Sequence, residues 1–364
     1  MPAKENQIKK RLIAVGILAV AFFLLYLLED HPQTIERYYS QGFYLFICRV
    51  FHPVFNLFPF SIGDVFYIVL IGLIIYYLVR FIGLLFKKQF RQAGILVLGV
   101  IIATQALTLA FYLFWGLNYF RPSAAERLKL TDTGYSTQQL AAVAEILIDS
   151  ANVTRSRLQK EDTTQNNSAI YQTAIGAVKN LSASSPAFYI YDPKIKSSLF
   201  SWLLNYMGTS GYYNPFTSES QLNSGMPFFI KPFVACHEMS HQMGYGAEDE
   251  ANFAGFLAGA NSNDRLLRYS AYHEAVGEFM LDLMLRDSVL HKQVRTCISP
   301  RLHHDFVVER AYWQQYQSQI ETISSVFYDN FLKANNQPQG LMTYNRMIRL
   351  VISWYGKRAV NHGP

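Results

Sequence analysis

The apolar residues of this 364-residue chain are concentrated in its first third. Leu12 to Leu28 is an uninterrupted apolar run, Val65 to Phe86 is broken only by Arg80, and Gly94 to Gly116 contains no charge. Each run is close to the length a helix needs to cross a bilayer, so spans are expected at 12–28, 65–86 and 94–116. Lys9, Lys10 and Arg11 precede the first run as they would a secretory signal, but Glu29 and Asp30 stand where a small-residue cleavage site belongs. Phe43 to Phe60 is also apolar, yet it carries Arg49, His52, Pro53 and Pro59. It is expected to be an interfacial or re-entrant segment rather than a span.

Beyond Pro122 the pattern becomes that of a globular domain. Ser136 is placed to cap a helix whose periodic apolar residues, Leu140, Val143, Ala144, Leu147 and Ile148, carry it to about Lys160. A polar break from Glu161 to Ser168 leads to a second helix at Ile170 to Leu181. Ala187 to Tyr191, aromatic and bounded by prolines, predicts a short strand, and the turn-rich run from Ser210 to Met226 a hairpin or irregular edge strand. Further helices are expected at Arg265 to Asp287, Asp305 to Asn335 and Tyr344 to Tyr355. The chain thus divides into a membrane anchor, 1–122, and a domain, 123–364.

Charge orients this arrangement. The net charge is +6, but residues 1–122 hold 11 Lys/Arg and 5 Asp/Glu, and the remainder holds 21 of each. The basic residues gather before the first span and around Lys87, so the positive-inside rule puts those segments in the cytoplasm. Three spans then carry the domain to the other side, whereas a fourth at 43–60 would return it to the cytoplasm. Trp115, Tyr119 and Arg121 suit the outer interface. A neutral domain gives no reason to expect nucleic acid, and three scattered cysteines do not make a disulfide framework. One charge near the end of a span offers no polar pathway for a transporter.

Candidate chemistry is concentrated in Pro232 to Met243, PFVACHEMSHQM. Proline suits the first turn of a helix, and Gly244 and Gly246 end it. His237 and His241 lie four residues apart on one face, so both imidazoles can reach one metal ion, with Glu238 beside them to hold its water. Zinc in such a site lowers the pKa of that water and polarises a scissile carbonyl, while the glutamate shuttles the proton to the leaving amine. Cys236 reads as a small buried residue of this helix. The residues call for one Zn2+ ion, without fixing the metal against another divalent cation.

A catalytic zinc needs a third protein ligand and one open position. It is sought in the acidic helix start after the turn. Glu248-Asp249-Glu250-Ala251-Asn252 resembles the ExxAD ligand element of membrane zinc peptidases of the CAAX-prenyl-protease type, with a much shorter spacer and with Asn252 where that family has aspartate. The resemblance implies that Glu248 binds the metal; Glu250 is the alternative, and Asn252 would hydrogen-bond a ligand. HExxHxxG also resembles the metzincin pattern, but Ala247 replaces its last histidine. Ala251, Gly255, Ala258 and Gly259 leave one helix face small enough for close approach to the histidine helix. Tyr269 and Tyr272 are the candidates for transition-state support.

Over a longer stretch, GYYNPFTSESQLN, PFVACHEMSHQMGYGAEDEANF, RYSAY and YNRM resemble an uncharacterised family of bacterial multi-span membrane proteins with an HExxH domain. This implies a zincin-like site in the bacterial inner membrane. The expected fold is mainly α: three N-terminal transmembrane helices, then a mostly helical, zincin-like (gluzincin-like) α+β domain with a small β element. The expected function is zinc-dependent hydrolysis of peptide bonds in a peptide or protein substrate at the bilayer. The alternative is a non-catalytic membrane protein with a structural or sensory zinc site.

Overall fold

The computed structural model of the chain describes residues 2–130, 134–340 and 346–361. The fold is mainly helical. It begins with α1 (Pro2–Glu29), continues through a π-helical segment, Ile35–Phe43, into α2 (Tyr44–Phe55), and then runs through α3 (Ile62–Phe86) and α4 (Phe90–Phe114). Within these, Asn6–Glu29, Ile62–Phe86 and Phe90–Phe114 are long and apolar enough to cross a membrane, with mean hydropathies of 2.6, 2.5 and 2.2. Although α4 packs against both α1 and α3, many of their large apolar side chains face outward. These three helices coincide with the stretches expected to span, except that α4 ends at Phe114 rather than Gly116.

The 43–60 segment holds the 12-residue helix α2, only about 18 Å long at 1.5 Å per residue. It has two faces. Tyr44, Ile47, Cys48 and His52 are buried against the rest of the protein, whereas Phe46, Val50, Val54 and Leu57 are exposed. His52 is fixed on both ring nitrogens, by the Tyr191 carbonyl at 2.5 Å and the Ser218 hydroxyl at 3.0 Å.

The helices used below are α5 (Thr137–Ser156), α6 (Asn167–Ser184), α7 (Ser201–Tyr206), α8 (Lys231–Gln242), α9 (Glu248–Ala260), α10 (Arg265–Arg286), α11 (Pro300–Gln314), α12 (Gln319–Ala334) and α13 (Arg346–Asn361), with shorter ones at Ala124–Leu128 and Ser288–Arg295. Ser136 and Gln139 form a capping box at the start of α5. That helix ends at Ser156, short of the expected Lys160, and Lys160–Thr163 forms a separate short turn of helix. The expected single helix from Asp305 to Asn335 is two, α11 and α12, because Ser318 caps a new start by accepting from Glu321 N–H. Tyr344, where the last helix was expected to begin, lies outside the described residues.

A three-stranded sheet of order β1-β3-β2 contains β1 (Ile195–Ser197), parallel to β3 (Glu219–Leu222), with β2 (Gly211–Asn214) antiparallel at its edge. The expected hairpin within 210–226 is therefore present. The expected strand at Ala187–Tyr191 is not, because Pro186–Phe188 is a 3-10 turn. Phe188 is aromatic because it is core: its ring stacks on Tyr245 at 5.9 Å.

Two apolar cores meet at the candidate site. The larger is built from α5, α6, α8, α9 and α10. The smaller joins anchor and domain: Leu25, Tyr39, Tyr44, Trp115 and Phe120 pack together, with Tyr213 and Phe331 of the domain against them. Trp115 and Tyr119, expected at the lipid interface, are buried in this seam at 4% and 8% exposure.

Candidate metal centre

Helix α8 has no side-chain N-cap of its own, and Ser270 of α10 takes that role by accepting from Phe233 N–H at 3.0 Å. At its other end the chain turns through Gly244, whose φ of +80° favours glycine. A side chain there would also strike Asn118 and Arg121. The last carbonyls are capped from the anchor. Trp115 Nε1–H donates to His241 O, the Tyr44 hydroxyl to Gln242 O and Arg121 Nη1 to Gly244 O, each at 2.9 Å. Arg121 is itself fixed by a bidentate pair with Glu36, at 2.7 and 2.9 Å.

His237 and His241 project from one face of α8 with ring centroids 5.0 Å apart and planes nearly perpendicular, at 89°. His241 Nδ1 lies 2.7 Å from Tyr245 O. A carbonyl only accepts, so Nδ1 carries the proton and the Nε2 lone pair is directed into the site. Donor atoms of His237, Glu238 and His241 lie within 4.8 Å of one another. The Glu248 carboxylate closes the group from α9, 3.3 Å from His237 Nε2 and 3.8 Å from His241 Nε2. It can come this near because Gly255, two turns along α9, rests on the α8 backbone, where a Cβ would lie 3.0 Å from His237 N. Of the other small residues, Gly259 faces α10, with Ala271 as its neighbour.

Electrostatics in this buried group are opposed. Burial drives His241 down to about 4, so it is a neutral imidazole at pH 7. Burial also acts downward on His237, but its hydrogen bond to Glu248 and the charges of Glu238, Glu248 and Glu274 hold it up at about 9. Burial raises Glu238 to about 8. Glu248 is held down at about 2 against burial by the two histidines and by Tyr328, whose hydroxyl donates to Glu248 Oε1 at 2.5 Å. Glu238 Oε2 and His237 Nδ1 are buried with no partner among the described residues. One neutral imidazole with a fixed tautomer, a second that would give up its proton to a cation, and a carboxylate that stays ionised fit a divalent cation with borderline ligand preference, such as zinc.

The alternative ligand, Glu250, is not brought to the group. It accepts from Ala124 N–H and pairs with Arg127 at 2.8 Å, on the far side of α9. Asn252 is buried one turn beyond Glu248, but no hydrogen bond among the described residues joins it to the donors. Tyr269 is drawn into the core, where its hydroxyl donates to Asp305, which also pairs with Arg155. Tyr272 packs edge-on to Phe256, with centroids 5.9 Å apart. Neither tyrosine joins the donor group. Cys236 is fully buried, and burial pushes its thiol up.

Contributors not singled out from sequence include Tyr328, Glu274, Gly211, Ser270, and Trp115 and Tyr44 as caps. Edge strand β2 crosses above Glu238 so closely that a Cβ on Gly211 would lie 2.6 Å from Glu238 Oε1. A glycine opening a strand was the available signal. Glu274 sits one turn after Ser270, as His237 sits one turn after Phe233, so the Ser270–Phe233 bond sets the two helices in register.

No curated protein and no solved structure matches the chain. A family match does exist, and it runs from Tyr39 in the π-helical segment to Ile352 in α13, taking in α2, two of the three apolar spans, the sheet and every donor residue described above. Over that length, most of the chain, the protein belongs to the family described as protein of unknown function (DUF3810).

Proposed function

We propose that the protein is a zinc-dependent peptidase held at the membrane by its three apolar helices, with the domain on the extracytoplasmic side. The reading rests above all on one observation: His237, His241 and Glu248 converge while Glu238, a second buried carboxylate, lies beside them under edge strand β2. A bound zinc supplies Lewis acidity, lowering the pKa of a water and polarising a carbonyl. Glu238, buried beside the donors with one carboxylate oxygen unpartnered among the described residues, is placed to take a proton from such a water and hand it to a leaving amine. Tyr328 and the Tyr245 carbonyl hold Glu248 and His241 in place. The antiparallel edge at Gly211–Asn214 can align a peptide in extended form.

A second reading, a structural or sensory zinc site, is favoured by the depth of the donors, which are at most 8% exposed. It gives Glu238 nothing to do. The deciding experiment uses purified full-length protein in nanodiscs, with metal content and peptide hydrolysis measured together. Wild type is expected to hold one zinc and cleave, His237→Ala to lose both, and Glu238→Gln to keep zinc while turnover falls by about 10²–10⁴. Full activity in Glu238→Gln would sink the mechanism, and stoichiometric zinc in His237→Ala would sink the site.

A further inference from the structure

Helix α12 has two unlike faces. Tyr328 and Leu332 point inward, Tyr328 to Glu248, whereas Ile320, Ile323 and Phe327 are exposed, the last two at 70% and 73%. These three fall at i, i+3 and i+7, a single stripe along the helix. Leu199, just before α7, and Trp202 within it are also exposed, Trp202 at 65%. Large apolar side chains gathered on two linked helices mark a surface that meets something other than water.

The position of the patch identifies what it meets. Leu199 N–H donates to Asp64 in the first turn of span α3 at 2.7 Å, so α7 begins at the end of a span. The Ser318 hydroxyl donates to Tyr206 O at 3.0 Å, linking α7 to the start of α12. At the other end of α12, the Phe331 ring packs on Phe111 in the last turn of span α4, with centroids 5.9 Å apart. The patch is therefore tied at both ends to the domain-side ends of two spans, and α2 meets one of those ends too, through Phe51 against Phe114.

We infer that α7 and α12 are seated in the bilayer leaflet on the domain side, with Trp202, Ile320, Ile323 and Phe327 among lipid. Helix α12 then forms a wall one helix thick: lipid on one face, and on the other the tyrosine that holds Glu248. If the peptidase reading holds, the substrate class follows, namely the juxtamembrane part of another membrane-anchored protein reaching β2 from the leaflet surface. The seating itself does not depend on that reading.

The test uses full-length protein, with Cys297 replaced by serine and Cys48 and Cys236 left buried, in nanodiscs of phosphatidylethanolamine and phosphatidylglycerol. Nitroxide labels are placed at Ile323→Cys and Phe327→Cys, with Ile74→Cys in span α3 and the water-facing Glu145→Cys on α5 as references. Collision rates are read with oxygen, which partitions into lipid, and with a water-soluble nickel chelate. The expected result is an oxygen-to-nickel ratio at 323 and 327 that matches position 74 and exceeds position 145. A ratio equal to that at 145 overturns the proposal, as does protection from both reagents, which would mean that protein covers the stripe. Both readouts are independent of metal and of hydrolysis.

Discussion

Glu248 and Glu250 stand two positions apart in the same helical turn and do different work. Two residues subtend about 200° on a helix, so only one of them can face α8. Glu248 shares its face with Ala251, Asn252 and Gly255, and this is the face that meets the histidines; Glu250 is turned to Arg127. Sequence left the choice open because both glutamates belong to the acidic first turn, although the phase of Ala251 and Gly255 already held the answer. We expect Glu248→Gln to lose metal in a stoichiometry assay. Glu250→Gln should keep it and instead lower stability by about 3 kcal/mol, since Arg127 would be left buried without its carboxylate; an unchanged unfolding midpoint would contradict this. Tyr269 and Tyr272 could not be placed from sequence, because a tyrosine's partner depends on which helices pack together, and here Asp305 and Phe256 claim them.

Among elements, the contact of α9 with α8 sets the geometry of the donor group. Gly255→Val would press a branched side chain on the His237 backbone, where even a Cβ sits 3.0 Å away. Overpacking of this kind costs about 1–3 kcal/mol. It should move Glu248 away from the histidines and weaken zinc affinity by about 10–100-fold, read by competition with a chelator; wild-type affinity would show that the close approach is not needed. Long periodic helices, the apolar spans and the hairpin were legible because their signals are local. The break between α11 and α12 was missed, although Ser318 followed three residues later by Glu321 is a cap pattern. Ala187–Tyr191 misled because burial against Tyr245, rather than strand pairing, selects its aromatic residues.

In the whole molecule, anchor and domain are joined by buried polar contacts as well as by the aromatic seam. Lys196 of β1 pairs with Glu219 of β3 and also donates to the carbonyls of Phe55 and Phe60. Glu219 in turn accepts from Gly63 N–H at the start of span α3 at 2.6 Å, where the helix dipole favours an anion. Both side chains of the pair are at most 3% exposed. Lys196→Ala would strand Glu219 and is expected to cost about 3–5 kcal/mol, seen as a fall in unfolding temperature in detergent; no fall would mean that the junction is held by apolar contacts alone. No local pattern in the sequence announces such a junction, because its partners are more than a hundred positions apart.

The three anchor side chains that close the end of α8 have a practical consequence. A fragment trimmed to begin at residue 123, the natural choice for a water-soluble preparation, would leave the carbonyls of His241, Gln242 and Gly244 without Trp115, Tyr44 and Arg121. The turn that delivers Tyr245 O to His241 would lose its backing in the same cut. Silence from such a fragment in an assay would report on the amputation and not on the intact protein.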